Sequence, residues 1–252
     1  MKVMTYNILN GGEGRKPAIL EVIQSVQPDI VILQEVYTSD FLQDLGTALD
    51  MESFFATGNK KRRVALLSRL PIRSARSHHP VFPIWRNIVE AEIEYQPDKT
   101  LYVIGVHPKA DLGIVSEWWR WCEAKRTLKY ISPYSNKMCL IAGDFNAIAP
   151  GDSVIINTMP QWLRLTLWIQ GNRAYQFSIR EYIAAGFTDS FRYLNEDEAG
   201  FTLPPPDPNS RLDYIFVNNV LKAYLKKCWV IREPLVVEKA SDHYPIVAEF
   251  EL

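Results

Sequence analysis

The chain has 252 residues, enough for one large domain or two small ones, and its 47% hydrophobic and 23% charged content is that of a globular protein with a substantial core. A formal net charge of −1 excludes a global electrostatic attraction to nucleic acid or anionic lipid, so any polyanion must be held by a local patch or by a metal. Three widely spaced cysteines, Cys122, Cys139 and Cys228, form no metal-ligand pair, and their odd number argues against a disulfide framework.

In chain order, residues 3–9 read as a buried strand that ends in a turn at Gly11-Gly12. Pro17 suits the first turn of a helix, and Ile19, Ile23 and Val26 recur at helical spacing. Residues 30–33 form a second buried strand, and Phe41, Leu45 and Leu49 mark a second helix. Residues 64–67, 88–93 and 101–106 are three further strands. A helix over 116–131 precedes a strand over 138–142. The stretch 150–176 mixes Pro, Asn and Gly with large apolar residues and has no clear period. A short helix over 179–185 closes at Gly186. Pro204-Pro205-Pro206-Asp207-Pro208 is a stiff loop, and strands over 214–217, 225–231 and 245–250 complete the chain. Strands outnumber helices and only some pairs are joined by a helical segment, which predicts two mixed sheets packed together with helices outside, in one domain. No long apolar segment opens the chain, and residues 162–169 include Arg164 and are too short to span a bilayer. A cytoplasmic, reducing location without stable membrane insertion is expected.

The chemistry gathers where apolar runs begin or end. Glu35 follows one run and His107 another. Asp144 and Asn146 lie in Gly-Asp-Phe-Asn, Asp213 in Arg-Leu-Asp-Tyr, and Asp242 and His243 in Ala240-Ser241-Asp242-His243. Glu35, Asp144, Asp213 and Asp242 are oxygen ligands suited to a hard divalent cation, which can then engage phosphate oxygens. His107 and His243 can move protons or donate to a phosphoryl oxygen. Asn7 and Asn146 can hold a phosphate without adding charge. His78-His79-Pro80 reads as an exposed loop. Lys60-Lys61-Arg62-Arg63 is the only dense basic run, read either as a solvated loop or as a phosphate-contacting rim.

Taken in order, these segments resemble the endonuclease/exonuclease/phosphatase superfamily, the fold of deoxyribonuclease I, exonuclease III, neutral sphingomyelinases and inositol polyphosphate phosphatases. The resemblance rests on Met4-Thr5-Tyr6-Asn7, Pro28-Asp29-Ile30-Val31-Ile32-Leu33-Gln34-Glu35, Gly105-Val106-His107, Gly143-Asp144-Phe145-Asn146, Arg211-Leu212-Asp213-Tyr214 and Ser241-Asp242-His243. It implies a four-layer α/β sandwich, two mixed sheets face to face with helices outside. It also implies a Mg²⁺- or Mn²⁺-dependent phosphodiesterase acting as a monomer on DNA, RNA or another phosphodiester. Glu35 would be the principal metal ligand, helped by Asn7 or Asp242. Asp144 would position or deprotonate the attacking water, and Asn146 would hold the phosphate. His243 would stand at the scissile phosphate, oriented by Asp213, and His107 would contact the phosphate or assist the leaving group. Arg63 replaces the family's usual glycine and is a candidate for substrate contact.

The departures bear on substrate. His107 precedes Pro108-Lys109-Ala110-Asp111 rather than the family's common Thr-His-Leu pattern, and a histidine stands where exonuclease III-like repair enzymes tend to carry a tyrosine. The second difference tilts the reading away from abasic-site repair. Trp118-Trp119-Arg120-Trp121 and residues 162–169 raise a lipid phosphodiesterase of sphingomyelinase type as the alternative, although aromatics at helical spacing more commonly pack in a core. A catalytically inactive binding module is the other alternative, opposed by the intact set of acids and imidazoles. Residues 76–86, 108–116, 150–176 and 200–210 are the expected substrate rim, with Phe82, Trp85 and Arg86 suited to stacking on a base or sugar.

Overall fold

The computed structural model describes residues 1–57, 63–79 and 87–252. The chain opens with β1 (Lys2–Asn7), β2 (Ile30–Val36), β3 (Glu52–Phe55) and β4 (Arg63–Ser68). It continues with β5 (Ile72–His78), β6 (Ile88–Gln96), β7 (Lys99–Val106) and β8 (Cys139–Asp144). It closes with β9 (Thr188–Asp189), β10 (Asp213–Val217), β11 (Leu225–Val230) and β12 (Ile246–Phe250). Among the described residues these strands make two six-stranded sheets, in the orders β11-β12-β1-β2-β4-β3 and β5-β6-β7-β8-β10-β9. Each sheet is mixed, with one parallel pair at its centre: β1 with β2 and β7 with β8.

The residue pattern explains the packing. In β2, Ile30 and Ile32 point into the core between the sheets, while Val31 and Leu33 point outward. That outer face is covered by α1 (Lys16–Val26) and α2 (Ser39–Leu49), through Ile19, Ile23, Leu42 and Leu45. The second sheet repeats the scheme. Leu140 and Ala142 of β8 face the first sheet, and Ile141 packs outward. Of the next helices, α3 (Ile114–Ile131), α4 (Gln161–Ile169) and α5 (Phe177–Ala184), the first and third cover this face with Ala124, Ile131, Ile179 and Tyr182. Strands buried on both faces read as continuous apolar runs rather than alternating ones. The predicted four-layer α/β sandwich is therefore the observed architecture.

The differences lie at the edges. The strands absent from the prediction, β3, β5 and β9, include three of the four sheet-edge positions. In β5, Ile-Arg-Ser-Ala-Arg-Ser-His is half-exposed, as an edge protected by charge should be. His78 ends this strand instead of lying in an exposed loop: its ring stacks on Tyr130 at 4.0 Å and its Nε2 meets the Glu90 carboxylate. The unassigned stretch contains α4, of which only Leu167 is buried. In α3 the tryptophans do not form the core. The buried stripe carries Glu117, Arg120, Glu123 and Thr127, and Trp118 is exposed. A polar inner face is stable here because each charge has a partner, as the site shows.

Candidate active site

The central strands of both sheets deliver their ends to one edge of the sandwich. Asn7 ends β1, and Glu35 lies one residue beyond Gln34, its partner in the parallel ladder. His107 follows Val106, which is paired with Gly143, so His107 and Asp144 emerge side by side. Asp213 begins the antiparallel strand β10 directly opposite Asp144. His243 precedes β12, which runs antiparallel to β1. Asn7, Glu35, His107, Asp144, Asn146, Asp242 and His243 line a single cavity of about 440 Å³. Asp213 stands behind it, against His243.

Local backbone features aim these groups. The β2–β4 register shifts between Leu33 and Val36, and Glu35 adopts a left-handed conformation, φ 63°. An irregularity of this kind re-aims a side chain out of the pleat. Glu35 Oε2 accepts the Asn10 N–H at 2.8 Å, which leaves Oε1 at 4.0 Å from His107 Nε2. Asn146, φ 51°, completes a tight turn in which its own N–H donates to Asp144 Oδ1 at 2.9 Å. Gly143 is required by close approach, since a Cβ there would fall 1.9 Å from the Val106 carbonyl oxygen.

Asp144 is the hub. It accepts from Asn7 Nδ2 at 3.0 Å and from Asn146 Nδ2 at 3.3 Å. His107 Nε2 is 3.5 Å away and His243 Nε2 is 3.8 Å away. Burial opposes its ionisation, but the charge of His243 and the contacts with His107 and Asn146 outweigh it and hold its carboxyl below the ordinary carboxylate range. On the other side of His243, Nδ1 meets Asp213 Oδ2 at 2.8 Å. Burial would lower the imidazole pKa, but the Asp213 and Asp144 carboxylates prevail and push it up to about 10. His243 is thus a cation at neutral pH, with Nδ1–H donating to Asp213 and Nε2–H turned toward Asp144.

The donors fit a divalent cation. Four carboxylates line the cavity, Glu35, Asp111, Asp144 and Asp242, against two imidazoles, so the wall carries excess negative charge. All are oxygen ligands with the Asn7 amide beside them, the preference of a hard ion. Asp144, Asp213 and His243 also have ligand atoms within 4.8 Å of one another. Within that trio only His243 Nδ1 and Asp213 Oδ2 are hydrogen-bonded, and His243 Nε2 stands 3.8 Å from Asp144.

Two supports were not among the site residues expected from the sequence, although Ser241 belongs to the Ser241-Asp242-His243 motif. Ser241 Oγ donates to the Asn7 carbonyl at 2.6 Å, tying the Asp242-His243 loop to the end of β1. Arg120 is fully buried. Its Nε meets Glu117 Oε2 at 2.9 Å and its Nη1 donates to the Lys109 carbonyl at 2.8 Å and to that of Asp111. Glu123 accepts the Lys109 N–H at 3.1 Å. The polar stripe of α3 therefore clamps the segment that follows His107.

The rim comes from three of the expected segments: Leu112, Met159, Trp162, Leu163, Leu203 and Pro204 supply apolar wall. Arg63 is not among the described residues lining the cavity. β4 places it opposite Val36 and its guanidinium lies over the Phe55 ring at 4.8 Å, so its substrate role has no geometric support. Lys60, Lys61, Arg62, Phe82, Trp85 and Arg86 lie outside the described residues.

An α/β sandwich whose central strands end in acids, amides and a carboxylate-held imidazolium around one cavity defines a phosphoric ester hydrolase. The chain belongs to the Endonuclease/Exonuclease/phosphatase family, whose model matches residues 4–243, a family dependent on divalent metals. It is 26% identical over 278 residues to exodeoxyribonuclease III of Haemophilus influenzae, with 100% of both chains covered. Its fold is shared with an AP endonuclease from Archaeoglobus fulgidus, TM-score 0.78 at 18% identity. A 3′ phosphatase from Neisseria bound to product DNA hairpin has the same fold, TM-score 0.74 at 22% identity. Both alignments cover 100% of each chain. The protein is a metal-dependent phosphodiesterase of this family.

Proposed function

We propose that the protein works as a single domain over residues 1–252, cleaving a phosphodiester by in-line attack of water, with Mg²⁺ or Mn²⁺ as its cofactor. The observation that carries the reading is Asp144 held between two imidazoles and two amides at the floor of the cavity. Glu35, with Asn7 and Asp242, would hold the ion. When bound, it would supply positive charge against the phosphate oxygens as negative charge builds up on them.

The protein's own groups do the rest. Asp144, kept ionised, accepts a hydrogen bond from the attacking water and fixes its line of approach. His243 donates Nε2–H to a nonbridging oxygen, and Asp213 locks the tautomer and orientation that make this geometry available. Asn146 donates its amide to the phosphate. His107 stands beside Asp144 to protonate the departing alkoxide. The water oxygen bonds to phosphorus, the P–O bond to the leaving group breaks, and the water proton passes to solvent.

DNA or RNA is the substrate class suggested by the relatives, among them an exodeoxyribonuclease and a phosphatase bound to a DNA hairpin. The apolar wall of Leu112, Met159, Trp162 and Leu163 favours a second reading, a lipid phosphodiester. We place the protein in the cytoplasm as a monomer; among the described residues no helix is long and apolar enough to cross a membrane.

The test is hydrolysis of bis-p-nitrophenyl phosphate with and without Mg²⁺ by wild type, Asp144→Asn and His243→Ala. Metal-dependent turnover lost in both variants supports the assignment. Near-wild-type turnover in either variant removes it.

A further inference from the structure

The outer surface beside the cavity mouth has a composition that the chemistry of the site does not explain. Helix α4 has nine residues and buries only Leu167. Trp162, Leu165, Trp168 and Ile169 are 56–71% exposed, with Trp162, Leu165 and Ile169 in one stripe at i, i+3 and i+7. A helix this short is marginal in water by itself, and among the described residues its apolar face has no cover. The start of α3 adjoins it: the Ile114 N–H donates to Gln170 Oε1 at 2.8 Å, and Gln170 Nε2 donates to the Leu112 carbonyl at 3.1 Å. Ile114, Val115 and Trp118 are also exposed, so the apolar surface extends across both helices.

Cations outnumber acids along the same surface, where Asp111 is an exposed acid just before the start of α3. Both acids of α3, Glu117 and Glu123, are buried against Arg120, Ser178 and Lys109. Lys125 and Lys129 are on its exposed side. From residue 153 to residue 180 the chain contains Arg164, Arg173 and Arg180 and no acid. A face of tryptophan and leucine bordered by cations, on a chain of net charge −1, has the chemistry of the lipid–water interface: indoles sit at head-group depth and cations meet anionic lipid.

We infer that the α3–α4 face docks the protein on the surface of an anionic lipid bilayer, without insertion across it. The position of Trp162 favours a bilayer over a second protein chain. It belongs both to the exposed stripe and to the cavity wall, so a second copy or other protein seated on this face would cover the mouth. A bilayer would instead bring phosphodiester head groups to it. Only this orientation rests on the phosphodiesterase reading; docking is measured without turnover.

The experiment is co-sedimentation of the full chain with phosphatidylcholine vesicles and with vesicles containing 30% phosphatidylserine, a composition chosen to give roughly a physiological-to-strong surface charge. Wild type is compared with Trp168→Ala/Ile169→Ser and Arg164→Gln/Arg173→Gln, with melting temperature and bis-p-nitrophenyl phosphate turnover as controls. Binding to the anionic vesicles, reduced at least tenfold in the first variant and also in the second, with turnover unchanged, supports the docking face. Absence of wild-type binding to both vesicles overturns it, as does binding that the first variant leaves intact. A concentration-dependent dimer in gel filtration, abolished by Trp168→Ala/Ile169→Ser, would assign the face to a second copy and also overturn it. Loss of turnover in wild type itself would count against the phosphodiesterase reading and leave the docking result standing.

Discussion

Asp213 and Asp144 face each other across the β10–β8 ladder, and His243 joins them, bonded to the first at 2.8 Å and 3.8 Å from the second. Two carboxylates on one imidazole keep it charged, and they divide the work. One holds the ring and the other shares the cavity with the substrate.

Asp213→Asn tests that division. The amide keeps the size of the side chain but can present N–H to Nδ1, so the ring can be held in the wrong tautomer and loses its charge partner. Turnover of a soluble diester should fall by about 10²-fold or more, the scale of an orienting carboxylate, with a smaller change in KM. Steady-state kinetics on the purified variant decide it; a loss below threefold would contradict the role.

Metal binding should appear as stability. A ligand that binds only the folded state at 100 times its Kd adds about 2.7 kcal/mol. Millimolar Mg²⁺ or Mn²⁺ should therefore raise the melting temperature of wild type and leave that of Glu35→Gln unchanged. An equal rise in both would exclude Glu35 as the principal ligand.

Arg120→Met breaks the clamp on the segment after His107. It leaves Glu117 buried without its cation and frees two carbonyls, which should cost about 3–5 kcal/mol. Denaturant unfolding measures this. In the folded fraction, kcat should fall more than KM rises, because His107 loses its support while the apolar rim remains.

Glu90 gives a pH signature away from the site. Burial disfavours its charge, but bonds from Tyr134, Arg76 and His78 prevail and hold it below its ordinary value of 4.5. A depressed carboxyl stabilises the fold above its unfolded pKa, and that stability is lost as pH falls through the folded value. Glu90→Gln should thus be less stable by about 1–3 kcal/mol at pH 7. The gap should narrow as pH drops below 4.5. A gap independent of pH would assign the effect to packing.

Much of the fold was readable because the central strands are buried on both faces. Ile30-Val31-Ile32-Leu33 and Leu140-Ile141-Ala142 cannot be exposed on either side, so they announce themselves as runs. The edge strand β5 was not readable, since one side faces solvent and its Arg-Ser-Ala-Arg pattern resembles a loop. Helix α3 misled for the opposite reason. Its tryptophans suggested a core, whereas its inner stripe is Glu117, Arg120 and Glu123, stable because Glu117 and Arg120 pair with each other and the stripe bonds the backbone of Lys109, Asp111 and Ser178.

The sequence by itself determined the layered sandwich and the identity of the acids, amides and imidazoles, because strand burial and ionisable chemistry are local properties of residue type. Only the tertiary structure decided which of them share the cavity, that the Arg63 guanidinium lies over Phe55, that Arg120 braces the His107 segment, and that the described residues leave the apolar face of α4 uncovered. Those facts depend on distances between residues up to 234 positions apart, as in the Ser241–Asn7 hydrogen bond, and on burial that exists only once the sheets have closed on each other.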